Sequence, residues 1–109
     1  MCNKYRRFIY IMNKSNRKPR NEEMYKALLT LQTVEECMDF FDDLCTVTEI
    51  QAMEQRYQVA VCLSKGMIYN DILAETGASS ATISRVNRSL KYGKNAYDVV
   101  FARLKEDEK

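Results

Sequence analysis

Ser79, Ser80, Ala81, Thr82 and Ser84 stand together in the stretch ETGASSATISRVNRSLKYG (residues 75–93), followed by Arg85, Arg88 and Lys91. Four small hydroxyl side chains then bases at helical spacing are poor material for catalysis. The chain has no histidine, so neither a Ser–His nor a Cys–His pairing can be built. The same residues suit hydrogen bonding. Hydroxyls donate to or accept from base edges and phosphates, small residues let a backbone come close, and the methyl groups of Ala81 and Thr82 can meet a thymine methyl. A helix N-terminus attracts phosphate. Arg88 and Lys91, with Lys94 beyond, lie further along, where phosphate contacts fix register.

Such a segment works only on a short, well-held helix. One proline and three glycines in 109 residues, with apolar residues recurring at helical intervals, predict an all-α chain. Six helices are expected. Asn21 caps the first, with Glu22 and Glu23 in its first turn. Thr33 and Glu36 have capping-box spacing for the second, and Thr46 and Glu49 for the third. The third runs to Gly66, suited to a left-handed end. The fourth is short, beginning near Tyr69 and stopping at Gly77. The fifth carries the hydroxyl and basic residues and stops at Gly93, and Asn95 is read as the cap of the sixth. A short helix, a tight glycine turn and a second helix make a helix-turn-helix. Ile72 and Leu73 would face Ile83, Val86 and Leu90, which share one side of their helix.

Net charge is +2, which says little about partners, but the charge is arranged in blocks. Residues 1–20 hold seven bases and no acid, residues 21–55 nine acids and the single base Lys26, and residues 76–97 four bases and no acid. Residues 1–20 are read as a mobile basic arm, residues 21–105 as the domain with its reading head at 67–92, and residues 106–109 as an acidic tail. Met12 offers a second start, which would place residues 1–11 outside the protein. The apolar run at 8–12 is too short for a membrane span or signal. Cys2, Cys37, Cys45 and Cys62 form no C-x-x-C pair and are expected as reduced, mostly buried thiols of a cytoplasmic protein. No metal, cofactor or enzymatic activity is expected.

From Thr46 to Leu90 the chain resembles the tryptophan repressor family. The carrying residues are T-x-x-E at 46–49, A-x-x-x-R at 52–56, Lys65-Gly66, Gly77-Ala78 and the run ATISR…SLK at 81–91. Asp42 to Thr46 and the ASSATISR run look more like the Trp-repressor-like branch than the repressor itself. The resemblance implies a six-helix fold, an intertwined homodimer and a palindromic operator with half-sites about one helical turn apart. It also implies a ligand pocket. Arg56 and Arg85 match the arginines that sandwich an indole, Thr46 the threonine near the ligand carboxylate, and Ser89 the serine near its amino group. Val86 replaces the glycine beside the ring and Tyr57 replaces a valine, so both are expected to plug the pocket from within.

The expected function is therefore a homodimeric, sequence-specific DNA-binding transcriptional repressor that does not depend on L-tryptophan. Its DNA contacts would come from Ser79, Ser80, Ala81, Thr82, Ser84, Arg88 and Lys91, and its ligand contacts, if it has an effector, from Thr46, Arg56, Arg85 and Ser89. Two alternatives stand beside it. One is a tryptophan-responsive, corepressor-dependent repressor. The other is a helical adaptor that binds protein and not DNA, motivated by the acidic 33–45 segment and the basic arm.

Overall fold

The computed structural model describes residues 19–108. The expected basic arm therefore lies outside the described residues except for Pro19 and Arg20. The described secondary structure is six α-helices: α1 Glu22–Leu28, α2 Val34–Leu44, α3 Val47–Ser64, α4 Tyr69–Thr76, α5 Ser80–Tyr92 and α6 Ala96–Asp107. Glu106 and Asp107, the first acids of the expected tail, thus belong to α6. None of the described helices is long and apolar enough to cross a membrane. The chain divides into two units, the first ending at Phe41 and the second starting at Asp42, so the boundary falls inside α2.

Local hydrogen bonds order the described part of the first unit. The Asn21 side chain accepts the Glu23 N–H at 2.9 Å, and Glu22 and Glu23 lie where the helix dipole favours acids. At the start of α2 the Thr33 hydroxyl accepts the Glu36 N–H at 3.0 Å. The Glu36 carboxylate does not return to Thr33 as a regular capping box requires; it accepts the N–H of Gln32, one residue earlier, at 2.9 Å. Phe40 and Phe41 meet edge to face, with centroids 6.1 Å apart. Neither α1 nor α2 buries a residue, and Leu29 stays 84% exposed and Val34 70%.

The second unit has a core. Val59, Ala60 and Cys62 of α3, Ile72 of α4, Ala78 of the turn, and Ile83 and Val86 of α5 are buried together. Val59, Ile72 and Ile83 are removed from solvent completely, each contributing about 1.5–3 kcal/mol of apolar transfer energy. Leu63, Met67, Leu73, Leu90, Tyr97 and Phe101 pack around them. The side of α4 that was to face Ile83, Val86 and Leu90 does so. Of the thiols, Cys62 is buried, Cys37 and Cys45 are half-buried, and Cys2 lies outside the described residues.

The helix ends explain the placement of α4 and α5. The last turn of α3 closes with two hydrogen bonds, Met67 N–H to the Cys62 carbonyl at 3.2 Å and Gly66 N–H to the Leu63 carbonyl at 3.0 Å, with Gly66 left-handed at φ 82°. This is the Schellman arrangement, which reverses the chain without a side-chain penalty. Gly77 is left-handed too, at φ 69°, and its N–H donates to the Leu73 carbonyl at 3.0 Å. The Thr76 hydroxyl donates to the Ile72 carbonyl at 2.7 Å and accepts the Ala78 N–H at 3.1 Å. Gln55 of α3 donates to the Thr76 carbonyl at 3.2 Å, tying the turn to α3.

The start of α6 departs from expectation. Asn95 occupies the cap position but makes no side-chain capping bond, because its own backbone is left-handed at φ 62°. Asparagine is among the few residues that tolerate this region, and its use here is to turn the chain after α5, not to cap α6.

Candidate nucleic-acid interface

The sequence of α5 sorts its residues onto three sides. Ile83, Val86 and Leu90 turn inward to the core. Ser80, Ser84, Arg88 and Lys91 follow the helical repeat along a second side, and all four are exposed. Ala81, Thr82 and Arg85 form the third side, against α3. One acid-free helix therefore presents a hydroxyl and basic stripe outward while its opposite flank anchors it.

Two of the expected contact residues have local duties. Ser79 caps α5: its hydroxyl accepts the Thr82 N–H at 3.1 Å and lies 3.0 Å from the Thr82 hydroxyl. This pairing takes up much of the hydrogen-bonding capacity of both side chains. Ser80, Ala81, Ser84, Arg88 and Lys91 remain exposed.

Sequence reading missed Tyr69. The first residue of α4 places its hydroxyl 3.1 Å from that of Ser84 on α5. The two are fifteen positions apart, so no local pattern could have joined them; a polar-tipped aromatic at the head of α4 was the sole signal.

The expected ligand residues separate into two groups. Arg56 and Arg85 are brought together: both line an open cleft of about 150 Å³ between α3 and α5, with Ala52, Gln55, Ala81 and Thr82. Thr46 and Ser89 are not among its lining residues. The Thr46 hydroxyl accepts the Glu49 N–H at 3.1 Å and the Glu49 carboxylate accepts the Thr46 N–H at 2.8 Å, a complete capping box for α3. The backbone N–H of Thr46, then its hydroxyl, hold the Glu49 carboxyl below its ordinary value. Ser89 is exposed, and its carbonyl accepts the Gly93 N–H at 2.9 Å.

Neither Tyr57 nor Val86 is among the residues that line this cleft. Val86 is spent in the core, 2% exposed, and the Tyr57 ring lies against Phe101 of α6 with centroids 6.0 Å apart.

Six helices with a tight glycine turn joining α4 to α5 define an all-α protein built around a helix-turn-helix. The family model for the Trp repressor protein matches residues 20–105, and the chain belongs to that family. The protein YerC of Bacillus subtilis (strain 168), itself uncharacterized, is 51% identical over 87 residues, covering 80% of this chain and 84% of its own. Two solved structures are also similar. A candidate Trp repressor from Staphylococcus aureus is 52% identical with a TM-score of 0.75, over 77% of this chain and 84% of that one. A TrpR-like protein from Eubacterium eligens ATCC 27750 is 51% identical with a TM-score of 0.75, over 77% and 87% respectively. The fold is therefore Trp-repressor-like, and the family is one of regulators.

Proposed function

We propose that this protein is a homodimeric, sequence-specific DNA-binding transcriptional repressor of the cytoplasm that reads a palindromic operator through α5 and acts without L-tryptophan, the last because Thr46 and Ser89 do not join Arg56 and Arg85 at the cleft. The observation that carries the reading is the exposed stripe of Ser80, Ser84, Arg88 and Lys91, held outward by burial of Ile83 and Val86 on the other side of the same helix. Its small N-terminal residues admit a close backbone approach to base edges, and its bases are spaced to engage phosphates. Dimerisation is supported by the unburied apolar residues of α2 and of the turn after α1, Leu29, Val34 and Met38 among them. Two-fold symmetry then calls for half-sites one helical turn apart.

The test is fluorescence anisotropy against duplexes selected by the wild-type protein from a random pool, at stepped salt, with and without L-tryptophan. Selective binding indifferent to tryptophan is the expected result. Arg88→Glu should weaken binding and lower the salt slope by about one, the loss of one phosphate contact. Failure of the wild type to prefer any duplex in either condition would overturn the reading and favour the protein-binding adaptor.

The Arg56–Arg85 cleft favours a second reading, in which a small molecule seated there couples α5 to α3 and makes binding effector-dependent. Binding that appears only with L-tryptophan would establish it in the tryptophan-responsive form.

A further inference from the structure

We propose that Tyr69 is a positioning residue of the DNA interface, aiming the Ser84 hydroxyl at a phosphate oxygen, so that Ser84 sets register and does not read a base. The inference rests on the reading of α5 as the DNA-binding helix. Its own ground is the 3.1 Å contact between the two hydroxyls, the one side-chain hydrogen bond that joins α4 to α5 among the described residues.

A phenol is a stronger acid than an alcohol, so Tyr69 is the better donor of the pair and Ser84 the better acceptor. With its lone pair engaged, Ser84 keeps its own proton for an outside acceptor, and a chained hydroxyl donates more strongly than an isolated one. The surroundings select the acceptor. Ser84 lies one turn before Arg88 on the exposed stripe, and residues 76–97 contain no acid, so an anionic oxygen is the favoured partner. A hydroxyl fixed from the neighbouring helix also has little freedom to adapt to different base edges. A phosphate oxygen, repeated at every nucleotide, asks for no such adaptation.

Tyr69→Phe, Ser84→Ala and the double variant separate the possibilities, measured by anisotropy at stepped salt. The probes are a duplex selected by the wild type and a scrambled duplex of the same composition. Tyr69→Phe and Ser84→Ala should each weaken both duplexes alike by about three- to tenfold, the scale of one hydrogen bond. The double variant should lose little beyond either single change, since the two hydroxyls act as one donor. The salt slope should stay at the wild-type value, because a neutral donor releases no counterion. Ser84→Thr, which keeps the hydroxyl, should restore binding.

Full affinity in Tyr69→Phe, additive losses in the double variant, or a loss on the selected duplex alone would each overturn the proposal. The last would make Ser84 a base-reading residue. These outcomes leave the DNA-binding reading standing. A wild-type protein that binds no duplex selectively overturns that reading and this proposal with it. An altered melting temperature alone would not produce the shared, salt-independent loss that supports the proposal.

Discussion

The two units of this chain are stabilised in different ways. The second has a buried centre in which Val59, Ile72 and Ile83 are fully withdrawn from water and two left-handed glycines shape the chain around them. In the described part of the first unit, helix caps and turn bonds are satisfied but no side chain is buried. The contrast shows that secondary structure and a core are separable. Caps and dipole charges are enough to set where α1 and α2 begin, but each is worth only about 1 kcal/mol, well short of the entropy of ordering the segment. The second unit carries its own stabilisation, while the first presents apolar surface that the proposed second copy would cover.

The strongest way to break that comparison is to remove core volume. Ile72→Ala should lower unfolding free energy by about 2–5 kcal/mol in denaturant titration, through lost burial and a residual cavity. An effect no larger than that of a typical surface change would show that the second unit does not depend on this centre. The first unit is tested by assembly. Met38 is 61% exposed within one chain, and Met38→Asp should weaken self-association by about tenfold or more in sedimentation experiments. Unchanged association would place the dimer surface elsewhere.

Backbone and cap changes sharpen the picture at smaller scale. Gly77→Ala should cost about 1–2 kcal/mol although open space surrounds the missing Cβ, because the strain is in the left-handed backbone. Thr46→Val removes the hydroxyl that receives the Glu49 N–H and should cost about 1 kcal/mol in thermal or denaturant unfolding. A loss of that size without any ligand present would show the cap to be the source of the residue's contribution to stability.

The mildest effect expected is pH-dependent. The Glu49 carboxyl is held below its ordinary value in the folded chain, first by the Thr46 backbone N–H and then by the Thr46 hydroxyl. A lowered folded value means that its stabilisation is present above the unfolded pKa and fades as pH falls through the folded one. Melting temperatures of wild type and Glu49→Gln should therefore differ at neutral pH and converge in the acid range. A gap that stays constant across that range would assign the effect to shape and not to charge.

Much of this was legible along the chain because the responsible interactions are local. Asn21, Thr33 and Thr46 bond backbone groups two or three residues away, Gly66 and Gly77 end helices through their own φ, and Ile83, Val86 and Leu90 share a side through the helical repeat alone. The inner side of α3 was harder to read. Val59, Ala60, Val61, Cys62 and Leu63 form an unbroken apolar run, so periodicity could not single out Val59 as fully buried. Asn95 misled because asparagine serves both as a cap and as a left-handed residue, and the type alone does not say which.

Local sequence was enough for six helices, the starts of the first three, the tight turn between α4 and α5, and the outward stripe on α5, since each depends on residues within about two turns of one another. Tertiary structure decided which side chains meet across helices. It joined Tyr69 to Ser84, set Tyr57 against Phe101, and brought Arg56 beside the cleft that Arg85 also lines. It also divided the chain inside α2. These pairings are fixed by how whole helices pack, and the three-dimensional arrangement of several helices is not contained in the repeat of any one of them.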